Sequence, residues 1–284
     1  MYEIIIHGRG GQGALLAARI LANAYFFEER YVEAFPYFGG ERRGAPIRAF
    51  LRVDDKPIRM KTPILSADCA IILDASLLDF VDISSELKEE SLIIINTPLL
   101  PNAIKLPFKY KTATCNATEI SLRLIERDIP NSAMLGAFAY ATGLKMDSII
   151  KRFCEVFPSK SSAEKNIAMA KIAANETNLG FCEVASKPEE KKLTPEFSPT
   201  LNVGGTYKAD GSSLHNITSS WTPFKAVIDE AQCNLCLLCY ADCPEGCILK
   251  LEEGLALDEK YCKGCGICET VCPRHAIKIQ RKKG

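Results

Sequence analysis

The twelve residues from Cys233 to Pro244, CNLCLLCYADCP, are written a second time as CKGCGICETVCP from Cys262 to Pro273. Each copy reads C-x2-C-x2-C-x3-C-P, a run whose thiolates hold iron–sulfur clusters. The tight C-x2-C-x2-C loop lets three thiolates converge on three corners of a cubane. The fourth cysteine, ahead of proline, points away and ligates the neighbouring cluster. On that rule one 4Fe-4S cluster takes Cys233, Cys236, Cys239 and Cys272, and a second takes Cys262, Cys265, Cys268 and Cys243. Such a protein moves single electrons.

The duplication extends past the cysteines. Val227–Glu230 aligns with Ala256–Glu259, and Ile248 with Ile277, at the constant offset of 29 residues that separates Cys233 from Cys262. Two copies of one small unit, each too short to bury a core alone, are expected to pack about a pseudo-twofold axis. The expectation is a small α+β two-cluster ferredoxin-like domain over residues 225–284. Zinc sites use paired ligands and leave the third cysteine and the Cys-Pro without a purpose. A disulfide framework belongs to an oxidising compartment, and no secretory signal precedes the first strand. Cys247 aligns with Ala276, which makes it a packing position. Cys69, Cys115, Cys154 and Cys182, scattered singly, read as small buried hydrophobes. Leu235, Leu237, Leu238, Ile248, Ile267 and Ile277 are expected to shield the clusters.

A chain of 284 residues implies two domains with a joining segment. Lys and Arg number 35, as do Asp and Glu, so the formal charge is zero. That balance argues against nucleic acid or an anionic membrane as the main partner. No apolar run reaches the length of a bilayer span. Ser132–Leu144, SAMLGAFAYATGL, reads as a buried helix rich in small residues. A reduced, cytoplasmic setting fits the cysteine load. Between residues 184 and 224 apolar periodicity is lost among prolines, glycines and charges, the composition of an extended linker. Trp221, the lone tryptophan, closes that stretch as a structural anchor. The tail Arg281-Lys282-Lys283 reads as a solvated basic terminus, one that also offers positive charge to an acidic ferredoxin.

Residues 1–183 read as an α/β domain. EIIIH at 3–7, CAIILD at 69–74 and LIIIN at 92–96 are short buried strands with helical patterns between and after them. They imply a mostly parallel sheet with covering helices. Gly8, Gly10 and Gly13 satisfy G-x-G-x-x-G between a strand and a helix. Glu33 lies 20 residues beyond Gly13, where a dinucleotide fold carries its ribose-binding acid. An NAD(P)-linked iron–sulfur oxidoreductase is therefore one reading of the chain. A second loop, from Ala34 to Pro46, holds aromatics, glycines and the pair Arg42-Arg43, and has the character of a contact surface. Both loops offer backbone N–H groups and positive charge to an anion.

GRGGQG at 8–13, the run AFPYFGGERRGAPIRAFLRVDDKPI from Ala34 to Ile58, and the doubled cysteine motif together resemble the 2-oxoacid:ferredoxin oxidoreductases. The likeness is to a gamma subunit over residues 1–180 joined to a delta subunit from about residue 195, as in pyruvate-type members. Ser219–Phe224 is similar to the delta lead-in. The resemblance implies alpha and beta partner subunits that carry thiamine diphosphate and Mg, and an external ferredoxin as acceptor. It further implies that coenzyme A is contacted through Gly8, Arg9, Gly10, Gly11, Gln12, Gly13, Arg42 and Arg43. Pyruvate is the expected substrate; oxalate, indolepyruvate and branched 2-oxoacids are those of other relatives. The chain has no GDG-type thiamine motif, so decarboxylation is expected on the partners.

Overall fold

The computed structural model describes residues 1–37, 44–79, 81–185, 212–252 and 254–282. The chain divides into two compact units, Met1–Ala185 and Ser186–Lys283.

The front unit begins with β1 (Tyr2–Arg9), α1 (Ala14–Phe27), β2 (Tyr31–Tyr37), β3 (Pro46–Asp54), β4 (Ala67–Ile72), β5 (Leu87–Asn96), β6 (Lys105–Leu106) and β7 (Lys111–Cys115). Four helices follow: α2 (Ala117–Ile125), α3 (Asn131–Thr142), α4 (Met146–Val156) and α5 (Lys160–Glu176). Strands β8 (Asn178–Phe181) and β9 (Glu183–Val184) close the unit. Among the described residues a seven-stranded sheet runs in the order β2-β3-β1-β4-β5-β7-β8. The central strands β1, β4, β5 and β7 are parallel, and antiparallel strands extend both edges. The α/β expectation therefore holds, with a parallel centre.

Period-two alternation sends each strand's side chains to two different cores. Ile4, Ile6, Leu51, Cys69, Ile71 and Ile94 face the helices. Ile72, Ile93 and Ile95 face the other way, against Ile83, Ile104, Leu106 and Tyr110. That second face is covered by 3-10 turns at Ala75–Asp79 and Ile83–Glu86 and by the β6/β9 ladder. The helical patterns expected between β4 and β5 are these turns. The Ala34–Pro46 run also differs from a loop: Ala34–Tyr37 belongs to β2 and Pro46 opens β3. Pro36 is accommodated because β2 is an edge strand, where a missing N–H leaves no ladder bond unmade. Residues 38–43, Arg42 and Arg43 among them, lie outside the described residues.

The small-residue helix is α3, buried from Asn131 to Ala139. A Cβ added to Gly136 would stand 1.9 Å from the Ala170 carbonyl oxygen, so α3 and α5 meet backbone to backbone. Ser132 Oγ and Asn166 Oδ1, 2.6 Å apart, link the same helices. Gly136→Ala is expected to cost about 3 kcal/mol through forced separation of the two helices. Thermal unfolding checks this, and an unchanged Tm would contradict the close approach.

The rear unit comprises β10 (Phe224–Ile228), α6 (Leu238–Ala241), β11 (Ile248–Lys250), β12 (Leu255–Leu257), α7 (Ile267–Val271) and β13 (Ile277–Arg281). Strand pairing crosses between the repeats. β10 of the first half pairs with β13 of the second, and β12 of the second with β11 of the first. Loop bonds repeat the exchange: Asp229 N donates to Ala276 O and Asp258 N to Cys247 O, both at 2.7 Å. Neither half closes a sheet by itself.

Of the stretch 184–224, residues 186–211 lie outside the described residues. Thr218–Trp221 forms a 3-10 turn bonded to the rear unit. Ser219 N donates to Lys260 O at 2.9 Å and Thr218 Oγ1 to Tyr261 O at 2.6 Å. The Trp221 ring anchors the turn under the Lys263 ammonium, 4.3 Å from its centroid. Lys282, read from sequence as part of a solvated basic tail, is held inward. Its Nζ donates to Ser219 O at 2.5 Å and Thr222 O at 3.2 Å.

Candidate metal centre and glycine loop

Left-handed backbone shapes the cysteine loops. Leu235 (φ 55°), Leu237 (φ 63°) and Gly246 (φ 60°) correspond to Gly264 (φ 55°), Gly266 (φ 83°) and His275 (φ 51°). All three pairs stand at the repeat offset, so both loops follow one backbone path with different residues. Left-handed residues turn the chain back within a few positions, which aims successive side chains and N–H groups inward. At Gly264 a Cβ would meet the Phe224 carbonyl oxygen at 2.6 Å, and glycine is required. Leu235 meets no such wall; its side chain is 51% exposed.

Two hollows result. One is lined by Cys233, Cys236, Cys239 and Cys272 together with Leu237, Ala276 and Ile277. The other is lined by Cys243, Cys262, Cys265 and Cys268 with Cys247, Ile248 and Ile267. Each hollow thus gathers three cysteines from one repeat and the pre-proline cysteine of the other.

The donor set is suited to a polynuclear cation. Burial raises the Cys268 thiol to about 11, and the neighbouring Cys262 and Cys265 push it the same way. Burial also raises Cys239, with Cys233, Cys236 and Cys272 adding to the effect. Thiols crowded together resist ionising unless positive charge joins them, which a metal cluster supplies. Cys243 departs from this: burial opposes ionisation, but backbone N–H donors at Glu245, Cys247 and Ile248 and the Cys247 thiol outweigh it and lower Cys243. Its counterpart Cys272 accepts from Ala276 N at 3.3 Å. Among the described residues no three His, Cys, Asp or Glu are placed for a single metal ion; the quartets ring hollows instead of closing on a point.

Shielding is narrower than the sequence suggests. Ile248 and Ile277 are buried and Leu237 is half-buried, but Leu235, Leu238 and Ile267 stand exposed. Each hollow sits just beneath the surface, with Cys236 and Cys265 exposed. Cys69, Cys115 and Cys182 are buried as expected, whereas Cys154 is exposed. Burial lifts the Cys69 thiol to about 12 and that of Cys115 to about 11, which leaves them inert.

In the front unit the glycine loop lies at the carboxyl end of β1. Arg9 and Asp74, each 2% exposed, form a buried ion pair with Nε 3.2 Å from Oδ2. Arg9 also donates to Ser76 Oγ at 2.8 Å and Gly44 O at 3.2 Å. Gln12 accepts from Arg9 N at 2.8 Å through Oε1 and donates to Asp74 Oδ2 at 3.3 Å through Nε2. Gly10 N donates to Ala45 O at 2.9 Å, and Gly44 N to Gly10 O at 3.0 Å. Gly8 lies within β1 opposite Ile47, and the Asn131 amide packs against Gly13. Gly11 is exposed. Arg9 and Gln12 thus bind the loop to the end of β4 and to the β3 entry.

Glu33 is not placed as a ribose-binding acid. It sits on β2, paired in register with Arg52, and β3 separates β2 from β1. A dinucleotide fold needs that acid at the end of the strand beside β1. Sequence reasoning also passed over a second buried cluster. His7 Nε2 lies 3.2 Å from Glu86 Oε2, out of line for a hydrogen bond, and Arg48 pairs with Glu86. Burial opposes ionisation of Glu86, yet His7 and Arg48 outweigh it and hold the carboxyl below its usual range. A wide groove lined by Tyr2, Tyr25, Arg30, Asp68 and Lys88 lies at the other end of the sheet, away from the glycine loop.

The family is now defined. The model for pyruvate ferredoxin/flavodoxin oxidoreductase matches residues 3–176, and the model for a 4Fe-4S binding domain matches residues 255–278. The chain belongs to the pyruvate ferredoxin/flavodoxin oxidoreductase family and carries a 4Fe-4S binding domain. It is 49% identical over 181 residues to the pyruvate/ketoisovalerate oxidoreductases common subunit gamma of Thermococcus kodakarensis, covering 62% of this chain and 97% of that one. It is 47% identical over 177 residues to pyruvate synthase subunit PorC of Methanothermobacter marburgensis, covering 61% of this chain and 96% of that one. The crystal structure of pyruvate oxidoreductase subunit PORC from Thermotoga maritima matches with a TM-score of 0.54 and 31% identity, covering 63% of this chain and 98% of that chain.

Relieving the left-handed leucine tests the loop geometry. Leu235→Gly removes about 1–2 kcal/mol of αL strain and adds about 0.5–1 kcal/mol of unfolded-state freedom. The expected net gain is about 0.5–1 kcal/mol in the cluster-loaded protein, read as a higher Tm under anaerobic conditions. A lower Tm would contradict it.

Proposed function

We propose that the chain is the electron-transfer and interface subunit, gamma joined to delta, of a thiamine-diphosphate-dependent 2-oxoacid:ferredoxin oxidoreductase acting on pyruvate. Cys233, Cys236, Cys239 and Cys272 hold one 4Fe-4S cluster, and Cys262, Cys265, Cys268 and Cys243 hold the second. When bound, each cluster takes up and releases one electron at a time. Thiamine diphosphate and Mg belong to alpha and beta partner subunits, and external ferredoxin is the acceptor. The reading joins a gamma-type domain over residues 1–183, a linker over 184–224 and a two-cluster domain over 225–284.

The observation that carries this reading is the exchange of the pre-proline cysteines between the two hollows. The relatives' names support the substrate and the partner subunits, since one is called a common subunit and the other a pyruvate synthase subunit. In the chain itself, backbone turns present the thiols, N–H groups hold Cys243 and Cys272, and Ile248 and Ile277 exclude water. Toward coenzyme A, we assign Gly10, Gly11 and Gly13 to a backbone surface, with Arg42 and Arg43 as the charged partners, while Gly8 is buried within β1. Arg9 and Gln12 position that surface through Asp74.

Anaerobic purification with iron and sulfide analysis tests the ligation. The native chain should carry about eight iron atoms, and Cys272→Ser about four. Cys272→Ser should remove the same electron paramagnetic resonance signal as Cys239→Ser, and Cys243→Ser the same signal as Cys262→Ser. Loss of the Cys262-type signal on substituting Cys272 would overturn the crossed assignment. A native chain carrying zinc, or about four iron atoms, would overturn the two-cluster reading.

A further inference from the structure

One cysteine at the cluster hollows has no part in the quartets. Cys247 is 4% exposed, lines the hollow of Cys243, Cys262, Cys265 and Cys268, and places its Sγ 3.5 Å from Cys243 Sγ. The equivalent position in the other half, Ala276, is 2% exposed, lines the other hollow beside Cys272, and has no polar atom on its side chain.

Both pre-proline cysteines meet backbone donors: Cys272 accepts from Ala276 N at 3.3 Å, and the N–H groups of Glu245, Cys247 and Ile248 face Cys243. The charged pair at the second hollow cancels locally, with Lys263 Nζ 2.6 Å from Glu245 Oε1. The Cys247 thiol adds a side-chain donor at the second hollow where Ala276 offers none at the first. A cysteine that ligates iron is a thiolate and has no proton to give. In the Cys243–Cys247 contact the S–H must therefore belong to Cys247.

We infer that Cys247 donates its S–H to the Cys243 thiolate, raises the reduction potential of the cluster held with Cys262, Cys265 and Cys268, and so makes two repeated sites inequivalent. The inference rests on the two-cluster, crossed-ligand reading. Hydrogen bonds to cluster sulfur are among the groups that set potential, because reduction adds negative charge that a donor stabilises. Cys247 acts through Cys243 and is a positioning residue, not a ligand.

The test is a redox titration of the anaerobically purified full chain, followed by electron paramagnetic resonance, with iron counted in every sample. Cys247→Ala should shift one midpoint alone to more negative potential, by about tenfold in the reduction equilibrium, or about 59 mV for one electron. Cys247→Ser, which restores a donor, should return that midpoint toward the native value. Ala276→Cys should move the other cluster's midpoint upward. Unchanged midpoints in Cys247→Ala at full iron content, or an equal shift of both, would overturn the inference while leaving the two-cluster reading intact. If Cys247→Ala loses iron, Ala276→Cys decides: an upward shift supports the donor role and no shift overturns it. About four iron atoms in the native chain would instead defeat the underlying reading.

Discussion

Four thiols drawn from two repeats around each hollow are the constraint on which the rear unit depends. Its buried core consists of Ala226, Ile248, Leu255 and Ile277 together with Cys239, Cys247 and Cys262. A core of that size offers little hydrophobic stabilisation, and small domains of this kind rely on metal or covalent staples. Because the pre-proline cysteines change sides, each cluster would bind both halves at once. The strand pairs and the Asp229 and Asp258 loop bonds make the same exchange. Ligation and folding are one event in such a unit.

The front unit answers a different constraint. Its glycine loop must leave β1 at the carboxyl end of the parallel strands, where an α/β sheet presents ligand-binding loops. The buried Arg9–Asp74 pair holds that exit, and Gln12 and Ser76 complete its hydrogen bonds. A buried pair of this kind is costly to break and sparing of alternatives, which suits a loop that must keep one shape. In family terms the front unit is the pyruvate oxidoreductase portion, and the 4Fe-4S domain lies beyond it in the sequence.

Much of this was legible from residue spacing. The cysteine run determines its own loop geometry, and the unbroken isoleucine runs mark strands buried on both faces. The small-residue run around Gly136 announces a closely packed helix. Other parts were hidden by competing local signals. Pro36 and the adjoining glycines suggest a loop, yet an edge strand tolerates a proline, so the β2/β3 hairpin went unread. Arg9 and Gln12 have the polarity of ligand contacts; only the tertiary position of Asp74, 65 residues from Arg9, shows them turned inward. Cys247 looks like packing in an alignment of repeats, and its contact with Cys243 needs coordinates to be seen.

The central claim is that this chain carries electrons released by a 2-oxoacid on partner subunits. Freeze-quenched electron paramagnetic resonance of the intact assembly, given pyruvate and coenzyme A without ferredoxin, tests it most directly. The account predicts two reduced 4Fe-4S signals with mutual spin coupling, and loss of one of them in Cys239→Ser. Turnover of pyruvate to reduced ferredoxin with both clusters of this chain remaining oxidised throughout would contradict it.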